Sequence, residues 1–218
     1  MAARTFLCDF DGTISPHDVG AAFLSAFAPD GEDERRALIA AWRRGEIGSR
    51  EVTERECEMA RADAAAAHAF VSRYRIDPHF VEFVAAARAR GDEVQVVSDG
   101  FEFYVAQLLE DARLGDLPRS ANRLRFEGDR LVPEFPNAGA GCGRCGNCKG
   151  AHARRAKADG RIVVVVGDGL SDRCAAREAD HVLARGDLLE WCVEQGVASG
   201  SFEDFADVAR WAANGEGS

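Results

Sequence analysis

The run Ile162-Val163-Val164-Val165-Val166 limits the fold of this chain more than any other stretch, because it is apolar and β-branched at every position. A strand with one wet face alternates in polarity. One that does not alternate is covered on both faces, as in a parallel sheet between helical layers. The run passes directly into Gly167-Asp168-Gly169-Leu170-Ser171-Asp172. The design is repeated near the start of the chain, where Phe6-Leu7-Cys8 leads into Asp9-Phe10-Asp11-Gly12-Thr13. A lone Asp-Gly after a strand makes a turn and nothing more. Two such strands gather Asp9, Asp11, Asp168 and Asp172 at one sheet edge, where open α/β sheets bind ligands.

Gathered acids repel. Two ionised carboxylates about 4 Å apart repel by roughly 4 kcal/mol at an effective dielectric near 20. A cation resolves the conflict. Carboxylate oxygens select a hard ion, and Mg²⁺ binds through one or two carboxylates together with a substrate phosphate. A phosphorylated small molecule is therefore the expected substrate.

The chain has 218 residues, 46% of them hydrophobic, enough for a full core with one domain or a domain carrying an insertion. Its formal net charge of -10 and lack of any Lys/Arg block exclude nucleic acid as the main partner, since phosphate-backbone binding needs a basic footprint. No stretch approaches the length of a membrane span, which predicts a cytoplasmic protein. Oligomeric state leaves no trace in the sequence.

In chain order, Val19, Phe23, Ala26 and Phe27 predict a helix stopped by Pro29. Helices are also predicted over Glu34 to Arg44, from an N-cap at Ser49, and through the Ala-rich segment to Arg75. No strand pattern occurs between Ile14 and Arg75. Asp77-Pro78 predicts a capped helix with Phe80, Phe83, Val84 and Ala87 on one face, and Val94 to Val97 a strand ending at Ser98-Asp99-Gly100. A helix with Phe101, Tyr104, Val105 and Leu108 follows, then a hairpin around Gly128-Asp129. Further helices are expected over Ala151 to Ala158, from Ser171, and over Asp187 to Gln195, with a strand at His181 to Ala184. Phe202 to Ala213 is the last helix, and Asn214 to Ser218 a frayed tail.

Four signals now stand in order: Asp9-Phe10-Asp11-Gly12-Thr13, Ser98-Asp99-Gly100, Lys149, and Gly167-Asp168-Gly169-Leu170-Ser171-Asp172. This set resembles the four motifs of the haloacid dehalogenase superfamily of phosphatases. The resemblance implies a doubly wound, mostly parallel Rossmann-like α/β core, residues 1–14 and 76–218, with a helical cap at 15–75. It implies Asp9 as the nucleophile that becomes an aspartyl-phosphate and Asp11 as general acid and base. A metal-bound carboxylate stays ionised for attack, whereas a neighbour of raised pKa donates and accepts the proton. Ser98, Gly100 and Lys149 are implied at the phosphate. Mg²⁺ is implied at Asp9, Asp168 and the backbone carbonyl of Asp11, with Asp172 completing or orienting the shell.

The helical insert after the first motif resembles the phosphoserine phosphatase-like branch. The Cys-rich lead into Lys149 resembles that of the methionine-salvage phosphatases acting on 2-hydroxy-3-keto-5-methylthiopentenyl-1-phosphate. Phosphoserine hydrolysis or phosphotransfer to an alcohol stands as an alternative outcome, and a non-catalytic zinc or thiol-redox module as an alternative class. Asp18 stands where phosphoserine phosphatases carry Glu, and is the expected substrate contact there. Cap arginines Arg43, Arg44, Arg50 and Arg55 are expected on solvated faces.

Seven cysteines, an odd number, predict reduced thiols rather than a disulfide framework. Cys142, Cys145 and Cys148 form two overlapping CxxC steps that offer Zn²⁺ three soft ligands, with His152, Cys174 or Cys8 as a fourth. A glycine-rich loop with free thiols explains the same pattern equally well.

Overall fold

The computed structural model describes residues 3–214. Seven strands form one sheet: β1 (Arg4–Cys8), β2 (Glu93–Phe101), β3 (Arg119–Glu127), β4 (Arg130–Glu134), β5 (Ile162–Gly167), β6 (His181–Ala184) and β7 (Gly200–Ser201), in the order β4-β3-β2-β1-β5-β6-β7. All pairings are parallel except that of β3 with β4, the hairpin turning at Gly128. β1 lies between β2 and β5, so its tip is flanked by theirs.

The helices are α1 (Val19–Ala26), α2 (Glu32–Arg43), α3 (Ser49–Met59), α4 (Ala64–Val71), α5 (Pro78–Ala89), α6 (Glu102–Asp111), α7 (Lys149–Ala158), α8 (Arg173–Ala176), α9 (Gly186–Gln195) and α10 (Phe205–Asn214). Successive strand side chains point to opposite faces. Phe6, Cys8, Val164 and Val166 thus join one core cluster with Phe80, Phe83, Tyr104, Leu108 and Phe205. Leu7, Val163 and Val165 join another with Ala153 and Ala175. Helices on both faces explain why the central strands show no alternation.

Phe80 and Phe205 meet edge to face at 4.6 Å and are fully buried, joining α5 to α10. Truncating either to Ala would cost about 3–5 kcal/mol. Of the helices from Val19 to Val71, α1, α3 and α4 join the larger cluster through Val19, Phe23, Cys57, Phe70 and Val71. Backbone bonds also tie this segment to the hairpin, with Ala62 N–H donating to Asp129 O at 2.8 Å.

The expected helix and strand order is present, with four differences. β2 does not stop at Val97 but continues through Ser98-Asp99-Gly100 to Phe101, after a register shift against β3. Ser49 is the first residue of α3 rather than its N-cap. Gly48 holds that place, and Ser49 Oγ lies 3.4 Å from the Gly146 N–H it accepts. The helix from Ser171 is a 3₁₀ turn over Leu170–Asp172 followed by the four-residue α8. The two-residue β7 precedes α10, which starts at Phe205 rather than Phe202. Of the expected tail, Asn214 closes α10 and 215–218 lie outside the described residues. Among the described residues no helix is long and apolar enough to cross a membrane.

Candidate active site

The parallel pairing of β1 with β2 and β5 brings Asp9, Ser98 and Asp168 to one edge of the sheet. Asp9 is 6% exposed, and its Oδ1 lies 2.5 Å from Lys149 Nζ. The same ammonium reaches Asp172 Oδ1 at 2.6 Å and Ser171 Oγ at 2.9 Å. Burial works against the Lys149 charge, but Asp172 and Asp9 together hold its pKa well above the ordinary lysine range. Burial, with Asp172 next, pushes Asp9 up, and Lys149 opposes them.

Asp9, Asp168 and Asp172 offer carboxylate oxygens within 4.8 Å of one another. This hard-oxygen set fits Mg²⁺. Asp168 accepts from the Thr13 hydroxyl at 3.0 Å and is pushed up to about 6, first by burial and then by Asp172. A bare pair of acids is held here at a cost that a cation would remove. Asp172 has both oxygens engaged: Oδ1 by Lys149, and Oδ2 by the N–H groups of Asp168 and Gly169 at 3.2 and 3.1 Å. It orients Lys149 and the β5 loop. Gly12, in the left-handed region at φ 73°, leaves room for Asp168, whose carboxylate a Cβ would overlap.

Asp11 is turned elsewhere. Its Oδ1 accepts the N–H groups of Val19 and Gly20 at 2.9 and 3.2 Å, at the start of α1, and its Oδ2 accepts the Tyr104 hydroxyl at 2.5 Å. Burial, then Asp18, pushes it up to about 7 despite these donors. That value suits a group that must give and later take a proton near neutrality. Gly100 makes the arrangement sterically possible, since a Cβ there would overlap the Tyr104 hydroxyl and stand 2.6 Å from Asp11 Oδ2.

A cavity of about 380 Å³ opens over this edge. Asp9, Asp11, Asp168, Gly100 and Ser171 line its floor, and Leu24, Ile39, Trp42 and Val52 from α1 to α3 line its roof. Asp18 also lines it, capping α1 by accepting the Ala21 N–H at 2.7 Å. Ser98 and Lys149 sit beneath the floor. Ser98 is fully buried, and its Oγ accepts the Gly100 N–H at 2.9 Å. Arg44, Arg50 and Arg55 are exposed in ion pairs with neighbouring glutamates, but Arg43 lines the cavity and bridges to Asp187 at 2.8 Å.

Sequence reasoning missed Tyr104, Arg35, Asn147 and Arg185. Tyr104 reads as one more aromatic on an apolar helix face. Arg35 lines the cavity while bonding Glu56 at 2.7 Å. Asn147 donates to Ser98 O and Ser120 O at 2.8 and 2.9 Å. Arg185 donates to the carbonyls of Gly12 and Thr13 and so clamps the first motif. Partners of this kind are backbone carbonyls distant in sequence, which leave no motif behind.

The cysteine loop stands behind Lys149. Cys142, Cys145 and Cys148 have sulfurs within 4.8 Å of one another, and Cys174 Sγ accepts the Gly150 N–H beside them. His152, by contrast, faces Asn147 Oδ1 and the Ser120 hydroxyl, and burial lowers its pKa to about 4.

Comparison with known proteins gives the same architecture. The chain is similar to the 2-hydroxy-3-keto-5-methylthiopentenyl-1-phosphate phosphatase of Exiguobacterium sibiricum, 33% identical over 206 residues, 93% of either chain. It is similar also to the protein of that name from Geobacillus kaustophilus, 35% identical over 207 residues, 92% of this chain and 91% of the other. Among solved structures, a phospho-aspartyl intermediate analogue of phosphoserine phosphatase superposes with a TM-score of 0.75 at 20% identity, over 96% of this chain and 99% of the other. That likeness speaks for the fold. Residues 6–177 match the family described as haloacid dehalogenase-like hydrolase. On that match, and on relatives a third identical over nearly their whole length, the chain belongs to the haloacid dehalogenase-like hydrolases, among their phosphatases.

Proposed function

We propose that this phosphatase hydrolyses a small phosphomonoester in a Mg²⁺-dependent reaction through an aspartyl-phosphate on Asp9, and that its substrate is 2-hydroxy-3-keto-5-methylthiopentenyl-1-phosphate. The observation that carries the catalytic reading is the separation of the two acids of the first motif. Asp9 is paired with Lys149, and Asp11, two residues on, is held away from it by Tyr104 and α1. Asp9, Asp168 and the Asp11 backbone carbonyl would hold Mg²⁺, with Asp172 orienting the shell; the ion supplies charge neutralisation at the phosphate and keeps the acids ionised.

Lys149 holds Asp9 Oδ1, so Oδ2 is the attacking atom. It forms a bond to phosphorus as the ester P–O bond breaks, and the Asp11 carboxyl proton passes to the departing alkoxide. Asp11, now a carboxylate, takes a proton from water whose oxygen attacks phosphorus. The P–O bond to Asp9 breaks, releasing phosphate. Residues 15–75 act as the cap over a core of 1–14 and 76–218, and exclude water from the first step.

The substrate reading rests on the relatives named above and on the apolar wall that Leu24, Ile39, Trp42 and Val52 form in a roof shared with Arg35, Arg43, Thr53 and Glu56. That wall suits a methylthio tail better than the charged head of phosphoserine. The test is phosphate release from the methylthiopentenyl ester, phosphoserine and a generic aryl phosphate, with Mg²⁺ and with chelator. The expected result is a kcat/KM for the first ester well above that for phosphoserine, abolished by chelator and restored by Mg²⁺. A preference for phosphoserine would overturn the substrate; full turnover in metal-free protein would overturn the mechanism.

A further inference from the structure

We propose that Cys142, Cys145, Cys148 and Cys174 together form a tetrahedral thiolate site for one Zn²⁺, which fixes the start of α7 to the loop before α3. The first three sulfurs lie within 4.8 Å of one another, with Cys142 and Cys145 only 3.4 Å apart. Four sulfurs each about 2.3 Å from a zinc ion would be roughly 3.8 Å from one another. Cys174 arrives from α8, distant in sequence, and its sulfur lies against the start of α7, two residues past Cys148.

The backbone at the start of α7 turns one amide onto the fourth sulfur. Cys174 accepts the Gly150 N–H at 3.2 Å. Thiolates gathered this closely repel one another and need a cation between them. Two glycines allow the fold. A Cβ on Gly141 would overlap Cys148 Sγ, and Gly143 has φ 75°. Sulfurs this close surround one ion and leave no space for the bridging sulfides of an iron-sulfur cluster. Neither of the other sequence candidates competes: His152 is bonded to Asn147 and Ser120, and Cys8 is buried in β1.

The loop touches both halves of the active site. Arg144 O accepts the Arg50 N–H at 3.2 Å, and the Arg144 guanidinium donates to Gly45 O at 2.6 Å. Asn147 bonds β2 and β3, and Lys149 follows Cys148 directly. Zinc there holds the lysine and the α2–α3 loop in one frame. It is a positioning element and contacts no reacting atom.

The full chain, purified under reductant without chelator, should contain about one zinc per chain by elemental analysis. Asp168→Asn should keep that zinc, which separates the thiolate site from zinc astray among the carboxylates. Cys174→Ser should weaken zinc at least about tenfold in competition with a chelating dye, and Cys192→Ser should not. Cobalt(II) in place of zinc should give the thiolate charge-transfer and tetrahedral d–d bands, lost in Cys174→Ser. If a cysteine variant fails to fold, an organomercurial titration of the parent chain decides: zinc released in step with four thiols supports the site. Protein that carries iron, that takes up neither zinc nor cobalt, that holds Cys142 and Cys145 as a disulfide, or that loses zinc in Asp168→Asn but not in Cys174→Ser would overturn it.

Discussion

The Tyr104 hydroxyl donates a 2.5 Å hydrogen bond to Asp11 Oδ2, from the first turn of the helix that follows β2. The bond stabilises the ionised acid, so it restrains a pKa that burial has already pushed up to about 7. In Tyr104→Phe the restraint is gone and the Asp11 pKa rises further. Asp11 must be protonated to act as acid, so the alkaline limb of kcat/KM should move to higher pH, by about one unit for a hydrogen bond to a charged group. A limb that stays in place would show that another group sets it.

Asp11→Asn should lower turnover of an alkyl phosphate by about 10²- to 10⁴-fold, the usual contribution of acid–base catalysis. An aryl phosphate, whose phenolate leaves unaided, should be spared at the first step. Phosphoenzyme should then accumulate, and mass spectrometry of quenched protein should find the phosphate on Asp9. Equal losses for both esters would remove Asp11 from the proton-donor role.

Lys149→Met should destabilise the metal-free protein by about 3–5 kcal/mol at pH 8, because it leaves buried carboxylates without their counter-charge. Asp9 already has a raised pKa, and losing Lys149 raises it more. A carboxyl with a raised folded-state pKa favours the folded protein below its unfolded value and loses that contribution as pH climbs. The deficit in Tm relative to the parent should therefore shrink toward pH 4. A deficit independent of pH would mean that lost packing, not charge, is responsible.

Asp168→Asn should abolish Mg²⁺-dependent turnover yet raise the Tm of metal-free protein. The Asp168 pKa is about 6 in the fold against an ordinary 3.8, so the metal-free protein loses stability as pH rises through that window. Asparagine escapes the loss and keeps an acceptor for Thr13. The gain should be about 3 kcal/mol at pH 7 and vanish near pH 3.5. Calorimetry in chelator showing no gain at pH 7 would contradict the strain assigned to this acid.

What could be read in advance follows from how each residue acts. Strands β1 and β5 declare themselves because burial on both faces demands unbroken apolar runs, and the acids at their tips are adjacent in sequence to those runs. Asp77 and Pro78 announce α5 because capping is local. The passage of β2 through Ser98-Asp99-Gly100 was hidden, since polar residues there face partners supplied by Asn122 and Asn147, not solvent. Ser49 misled for a similar reason: its hydroxyl serves a loop distant in sequence rather than its own helix. Cys174 has no standard spacing from the other cysteines, and only the packing of α8 beside α7 brings it to them.

The edge-to-face contact of Phe6 with Trp211, at 6.4 Å, joins β1 to α10, and the Arg4 guanidinium donates to Ala212 O at 3.0 Å. During synthesis β1 therefore leaves the ribosome long before the helix that covers it. Until then Phe6 has an open flank on the side that Trp211 covers. Asp9, the proposed nucleophile, is thus translated early and backed late. A stalled or prematurely stopped chain ending before α10 would carry every motif residue yet leave that flank of Phe6 uncovered, and apolar surface exposed in this way is a target for chaperones.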